Sequence, residues 1–331
     1  MPLISGVARS DLSADAQSAP GRLVEPRACP PLPAIVARAV AVDSVRLPEK
    51  IGVEAMTGFR DRLYLAWVGH SLKPWVDWKI CLAYSPDGRE ITGQQRLDQR
   101  SYGMRASDDH TGPYPGPALA VSGEHLYLAW TGSDGRVNIL ADPDSPLGPP
   151  VRLDEARSKQ DPALASHQGG LVLAWTGTDH CVNILVDPDS PHDVPARLVE
   201  ARSRRGPALC SHQGGLVLAW TGTDHRVNIV ADPGPHRTAI RLDEAWSDYK
   251  PALCSHHDAL VLAWTDGDHH LNILADPLSP HDPPTQLDEV ANEPVLCSHQ
   301  GSLFFTWYGT SVGPNLMPIL SGLYLSRLDW A

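Results

Sequence analysis

The chain has 331 residues, with 27 Lys and Arg against 39 Asp and Glu, and a net charge of −12. With no cluster of basic residues, that balance argues against nucleic acid as a partner. No run of about 18 apolar residues exists, so no membrane-spanning helix is expected, and this length suffices for one domain with a large core.

In chain order, residues 1–43 read as an Ala/Pro/Arg-rich arm, strand-like at Ala34 to Val42. The opening MPLISGVARSDLSADAQSAP lacks the basic-then-apolar order of a secretory signal, so a cytoplasmic location is the expectation. Residues 44–331 repeat themselves. LVLAWTGTDHCVNILVDPDSP, beginning at Leu171, returns at Leu216 and Leu260, with an earlier copy at Leu126 and divergent copies at Leu63 and Leu303. The marker tryptophans Trp67, Trp130, Trp175, Trp220, Trp264 and Trp307 are spaced by 63, 45, 45, 44 and 43. A period in this range built from short strands signals a propeller or a solenoid.

Each unit reads as four strands. In one copy, PALCSHQ (residues 207–213) is followed by a tight turn at Gly214-Gly215 and by the nearly continuous apolar run LVLAWT, the pattern of a strand covered on both faces. A two-residue hairpin of the Asp134-Gly135 kind, expected as a type I′ turn, leads to RVNIVAD. A short fourth strand follows around Ile240 to Leu242. The expected fold is therefore all-β, a six-bladed propeller of four-stranded blades. Val45-Arg46-Leu47 precedes Trp67 by 20 residues, close to the 22 that separate other fourth strands from the next Trp, so an N-terminal strand should seal the ring. The favoured register puts the last third strand at Leu323 to Trp330; Asn315 marks a competing one.

The repeated residues read first as structural. The tryptophans should pack between blades. Cys210, Cys254 and Cys297 share a position that elsewhere holds Thr57, Ala120 and Ala165, which describes a small packing site with free thiols. No CxxC spacing supports a structural zinc site, and no metal is expected. His167, His212, His256 and His299 fall at a turn, as do His180, His225 and His269. Asp134, Asp179, Asp224 and Asp268 suit turn positions.

Departures from the repeat are a better guide to function. Trp67 to Trp130 exceeds the 45-residue unit by 18 residues. Most of the excess lies in a second-to-third-strand connection and in a fourth-to-first connection, which strand parity places on one face. The first carries Trp75, Asp77 and Trp78. The second carries Tyr102, Arg105, Asp108, Asp109, His110 and Tyr114. Tyr308 belongs to an expected long loop of the last blade. Such loops on a rigid ring can build a pocket. Asp77, Asp108, Asp109, His110 and Arg105 are the candidate catalytic groups, because carboxylates beside an imidazole suit acid/base work. Trp75, Trp78, Tyr102, Tyr114 and Tyr308 are the candidate substrate-binding aromatics.

The tandem AWTGTD…VNI copies from Leu126 to Pro280 resemble the repeats of bacterial β-propeller proteins in the broad lectin and sialidase-like group. The resemblance implies binding of a sugar or another small ligand on a propeller face. The sialidase-type Asp box is not matched, and no triad of arginines can be assigned. Two expectations follow. One is an enzyme with a single pocket doing non-redox acid/base chemistry (cyclisation, elimination or hydrolysis) on a partly apolar small molecule, without an organic cofactor, since no nucleotide fingerprint is present. The other is a multivalent lectin with one site per regular blade.

Overall fold

A computed structural model describes residues 39–40, 54–69, 79–88, 90–101, 115–146, 148–189, 194–280, 283–290, 293–312 and 318–328. All of them lie in one compact unit, 34–331. The fold is an all-β propeller. Its strands form four-stranded antiparallel sheets, each numbered here by its marker Trp.

Five sheets are built from four consecutive strands each. In the Trp175 sheet these are Ala163–His167, Gly170–Thr176, Cys181–Val186 and Ala196–Arg202. Its second strand is buried along nearly its whole length, as the continuous apolar run predicts. Its fourth strand buries Leu198 and Ala201, three residues apart, because the register against the third strand shifts between Leu198 and Arg202. The first strands are the innermost. Ala55–Phe59, Ala118–Ser122, Ala163–His167, Ala208–His212, Ala252–His256 and Val295–His299 neighbour one another in turn, and the last lies beside the first. They therefore surround a common axis.

Two expectations need correction here. Six blades sealed by Val45-Arg46-Leu47 is not what the chain shows. Five sheets are complete in consecutive strands, whereas Val295–His299, Ser302–Val312 and Pro318–Leu328 take the two-residue strand Ala39–Val40 as a fourth. Ala39 pairs with Leu328 and Val40 with Arg327; Val45 to Leu47 lie outside the described residues. A triplet that copies a fourth strand does not decide which backbone meets an open sheet edge. Second, Tyr308 does not open a long loop. Val312, Ile319 and Leu320 are β-formers that extend the hairpin past the repeat, so Tyr308 lies within Ser302–Val312 and pairs with Leu323. Trp307 pairs with Tyr324, which supports the third-strand register favoured over the Asn315 one.

The hairpin turns also differ from type I′. Gly135 donates its N–H to the carbonyl of Gly132 (2.8 Å), and only Gly135 (φ 75°), not Asp134, is left-handed. That is a type I turn with a following left-handed residue. Asp134 is in the turn because its Oδ1 accepts the Arg136 N–H (3.1 Å), and Asp179 and Asp224 do the same for Cys181 and Arg226.

The core lies between adjacent sheets. Trp175 packs with Ala118, Ala129 and Ile139 of the preceding sheet and with Leu173 of its own. The five described marker indoles are all buried, between 0% and 4% exposed, so none is a ligand platform. Hydrogen bonds then clasp successive sheets. Thr176 donates to the Arg205 carbonyl (2.6 Å), and the buried Ser203 hydroxyl donates to the Thr221 carbonyl (2.7 Å). Ser158 and Thr221 repeat the device one sheet before and after.

Candidate functional site

Two residues before the first strand, where the chain enters the axis, stands a position that differs from unit to unit. It is Gly116, Asp161, Gly206, Lys250 and Glu293 in successive sheets, with Glu54 one residue later in its own. Convergence of the first strands brings these together at one mouth of the propeller. Lys250 Nζ makes a short ion pair with Asp161 Oδ2 and lies 3.8 Å from Glu293 Oε2. Asp161 Oδ1 also accepts the Gly116 N–H (2.6 Å), and Glu54 Oε2 accepts the Val68 N–H (3.1 Å). The side chains of Asp161, Lys250 and Glu293 are only 8%, 10% and 16% exposed. Gly116 has to be glycine, because a β-carbon there would lie 2.5 Å from that of Glu54.

Three carboxylates share one ammonium, and the electrostatics follow. Burial raises the Glu54 carboxyl well above its ordinary value, and the Asp161 charge adds to the effect. Burial, opposed by Lys250 and reinforced by Asp161, lifts Glu293 from 4.5 to about 7. Lys250 is held protonated: its burial is outweighed by the charges of Asp161 and Glu293. The mouth thus holds an ion-paired carboxylate beside a carboxyl that exchanges its proton near neutral pH, a combination suited to general acid/base chemistry.

A pH test follows with a definite sign. The folded state holds the Glu293 proton more tightly than the unfolded chain does. That stabilisation is complete below the unfolded value of 4.5 and is lost as pH rises to about 7. Its full size is up to about 3 kcal/mol. Urea unfolding followed from pH 4.5 to 8 should show stability falling in this window, and Glu293→Gln should flatten the fall.

Trp75, Asp77 and Trp78, and likewise Tyr102, Arg105, Asp108, Asp109, His110 and Tyr114, lie outside the described residues, and nothing is described of the Tyr308 side chain. Two described residues near those segments are bonded to the cluster, Val68 to Glu54 and Gly116 to Asp161.

Sequence reasoning missed the cluster itself, and an aromatic rim beside it. Trp246 replaces the Arg157 and Arg202 of earlier units, and the His225 ring stacks on it at 5.4 Å and 15°. His225 Nδ1 is 2.7 Å from Asp248. Tyr249, next to Lys250, has its hydroxyl 3.5 Å from His269 Nδ1. The signal was available: Trp246 and Tyr249 break the repeat in the unit whose entry residue is Lys250.

At the other mouth the repeated histidines bridge neighbouring sheets. Nδ1 of His212 is 2.9 Å from Ser255 Oγ, and Nδ1 of His256 is 2.9 Å from Ser298 Oγ. Burial pushes His256 down to about 4 and also lowers His212 and His299. Among the described residues no three His, Cys, Asp or Glu are placed to hold a metal ion. Between the mouths, Cys210, Cys254 and Cys297 are free thiols. Burial lifts Cys210 to about 11 and Cys297 to about 12, which makes them poor nucleophiles. Intact mass of unreduced protein after thiol alkylation in denaturant should show all three modified.

The sequence matches no family model and no curated protein. Solved structures match by shape. An α-L-arabinanase from Penicillium chrysogenum, complexed with arabinobiose, aligns with a TM-score of 0.56 at 13% identity, over 88% of this chain and 98% of the other. Trypanosoma rangeli sialidase with the inhibitor DANA gives 0.54 at 10% identity, over 86% and 55%; this chain spans about half of that enzyme. AofleA from Arthrobotrys oligospora gives 0.56 at 8% identity, over 89% and 87%. At these identities the likeness establishes the propeller fold, of the sialidase and arabinanase kind.

Proposed function

We propose that this propeller, a ring of six blades with the two chain ends sharing the last one, binds a glycan at the axial mouth and hydrolyses a glycosidic bond there. The observation that carries the reading is the buried Asp161–Lys250–Glu293–Glu54 cluster on the axis. Glu293 would donate a proton to the leaving oxygen. Asp161, ion-paired with Lys250 and oriented by the Gly116 N–H, would act on the opposite side as base or nucleophile. Segments 70–78 and 102–114 would roof the site. Trp75, Trp78, Tyr102 and Tyr114 would stack on sugar rings, and Asp77, Arg105, Asp108, Asp109 and His110 would contact hydroxyls. The similar folds of an arabinanase and of sialidases support a sugar-directed role. No feature of the cluster calls for cyclisation or elimination.

The test is release of reducing ends from a panel of neutral plant and microbial polysaccharides and of nitrophenol from aryl glycosides. Turnover of at least one is the expected result, with activity falling as pH rises through about 7, where Glu293 gives up the proton it must donate. Tight glycan binding with no turnover on any substrate would move the protein to the lectin class.

A further inference from the structure

A second cavity opens on the opposite face, between the Trp130 and Trp175 sheets. Its volume is about 290 Å³, and its polar lining is His125, Tyr127, Asp142 and Asp189. Ile139, Leu140 and Val151 supply an apolar wall. The Tyr127 hydroxyl donates to Asp189 Oδ2 (3.1 Å), across the sheet boundary. His125 Nδ1 is 2.6 Å from Asp142 Oδ2, while Asp142 Oδ1 accepts the Leu126 N–H (3.2 Å).

The preceding sheet boundary shows why there is space. There Tyr64 donates to Asp144 Oδ2 (3.0 Å), the same lock one sheet earlier. Tyr64 is paired across the ladder with Tyr84, whose ring lies 5.8 Å from its own and covers Gly93 of the fourth strand. In the Trp130 sheet the residue paired with Tyr127 is Ala141. A methyl group stands where the earlier sheet has a phenol ring, and the volume of that ring is open. His125 and Tyr127 are themselves departures from the repeat: the matching residues are Gly170 and Val172, then Gly215 and Val217.

We infer that this inter-sheet cavity is a binding site for a neutral, monosaccharide-sized polyol, distinct from the axial mouth. Two carboxylates with open lone pairs accept vicinal hydroxyls. The Tyr127 ring and the aliphatic wall take a C–H face. The volume is at the small end of ligand pockets, which limits the occupant to about one sugar ring. Two carboxylates, with no Lys or Arg among the described lining residues, disfavour an acidic sugar.

The experiment is saturation-transfer NMR on the full chain with D-glucose, D-galactose, D-mannose, L-fucose, L-arabinose and D-xylose, each at about 10 mM, a concentration matched to the weak affinity of single sugars. At least one should receive saturation from the unaltered protein. Ala141→Tyr copies the neighbouring sheet at an exposed position and should refill the cavity, cutting the signal at least fivefold with unchanged thermal unfolding. Asp189→Asn should weaken it too. No transfer to any of the six, or transfer untouched by both variants, would overturn the inference. The hydrolytic reading is tested by turnover rather than by sugar contact, so failure here leaves it standing, and the reverse also holds.

Discussion

Trp175→Ala is expected to lower the unfolding free energy by about 3–5 kcal/mol, the range for a large aromatic removed from a core. The indole is 2% exposed and belongs to a buried cluster that spans two sheets and includes Ala118, Ala129 and Ile139 of the preceding one. Those partners belong to rigid strands, so the cavity cannot close by local collapse. Urea denaturation at pH 7 checks this. A loss below about 1 kcal/mol would mean that the sheet boundaries carry little of the stability.

Lys250→Met should cost a comparable amount, about 3–5 kcal/mol, for an electrostatic reason. Removing the one ammonium leaves Asp161, Glu293 and Glu54 facing one another in a site that water barely reaches. The sign of the pH dependence separates this from lost packing. Carboxyls that protonate relieve their own repulsion, so the penalty should be larger at pH 8 than at pH 5. A penalty independent of pH would show that Lys250 acts only through its aliphatic stem.

The fold was legible because repetition exposes structure. A sequence copied several times shows which residues hold strands and which hold turns. The buried Trp, the free thiols and the turn aspartates all followed from position within the unit. Ring closure was less legible, since pairing at an open edge depends on where the backbone arrives, and it arrives at Ala39–Val40. The last hairpin misled for a related reason: its strands run on to Val312 and from Pro318, beyond the length the other units prescribe.

Less of the candidate site was legible. Counting inserted residues pointed to segments that lie outside the described residues. It missed the charged cluster, whose successive members are 43 to 107 residues apart in sequence and each look like an unremarkable entry to a first strand. Only convergence on the axis makes Asp161, Lys250, Glu293 and Glu54 neighbours. The clue in the sequence was variability at one repeat position, Gly or Asp or Lys or Glu, just before a proline that the units copy (Pro117, Pro162, Pro207, Pro251 and Pro294).

The central claim, that this axial cluster performs acid/base chemistry on a glycosidic bond, is tested most directly by comparing hydrolysis rates of Glu293→Gln and Asp161→Asn with the unaltered protein on one glycoside it cleaves. Each substitution is nearly isosteric, and the loss of a positioned acid or base should lower kcat at least 100-fold. Glu293→Gln should at the same time leave stability at pH 7 unchanged or higher, since it removes a buried carboxyl that resists ionisation. Full activity in both variants, with the fold intact, would contradict the account and reduce the cluster to a structural plug of the propeller axis.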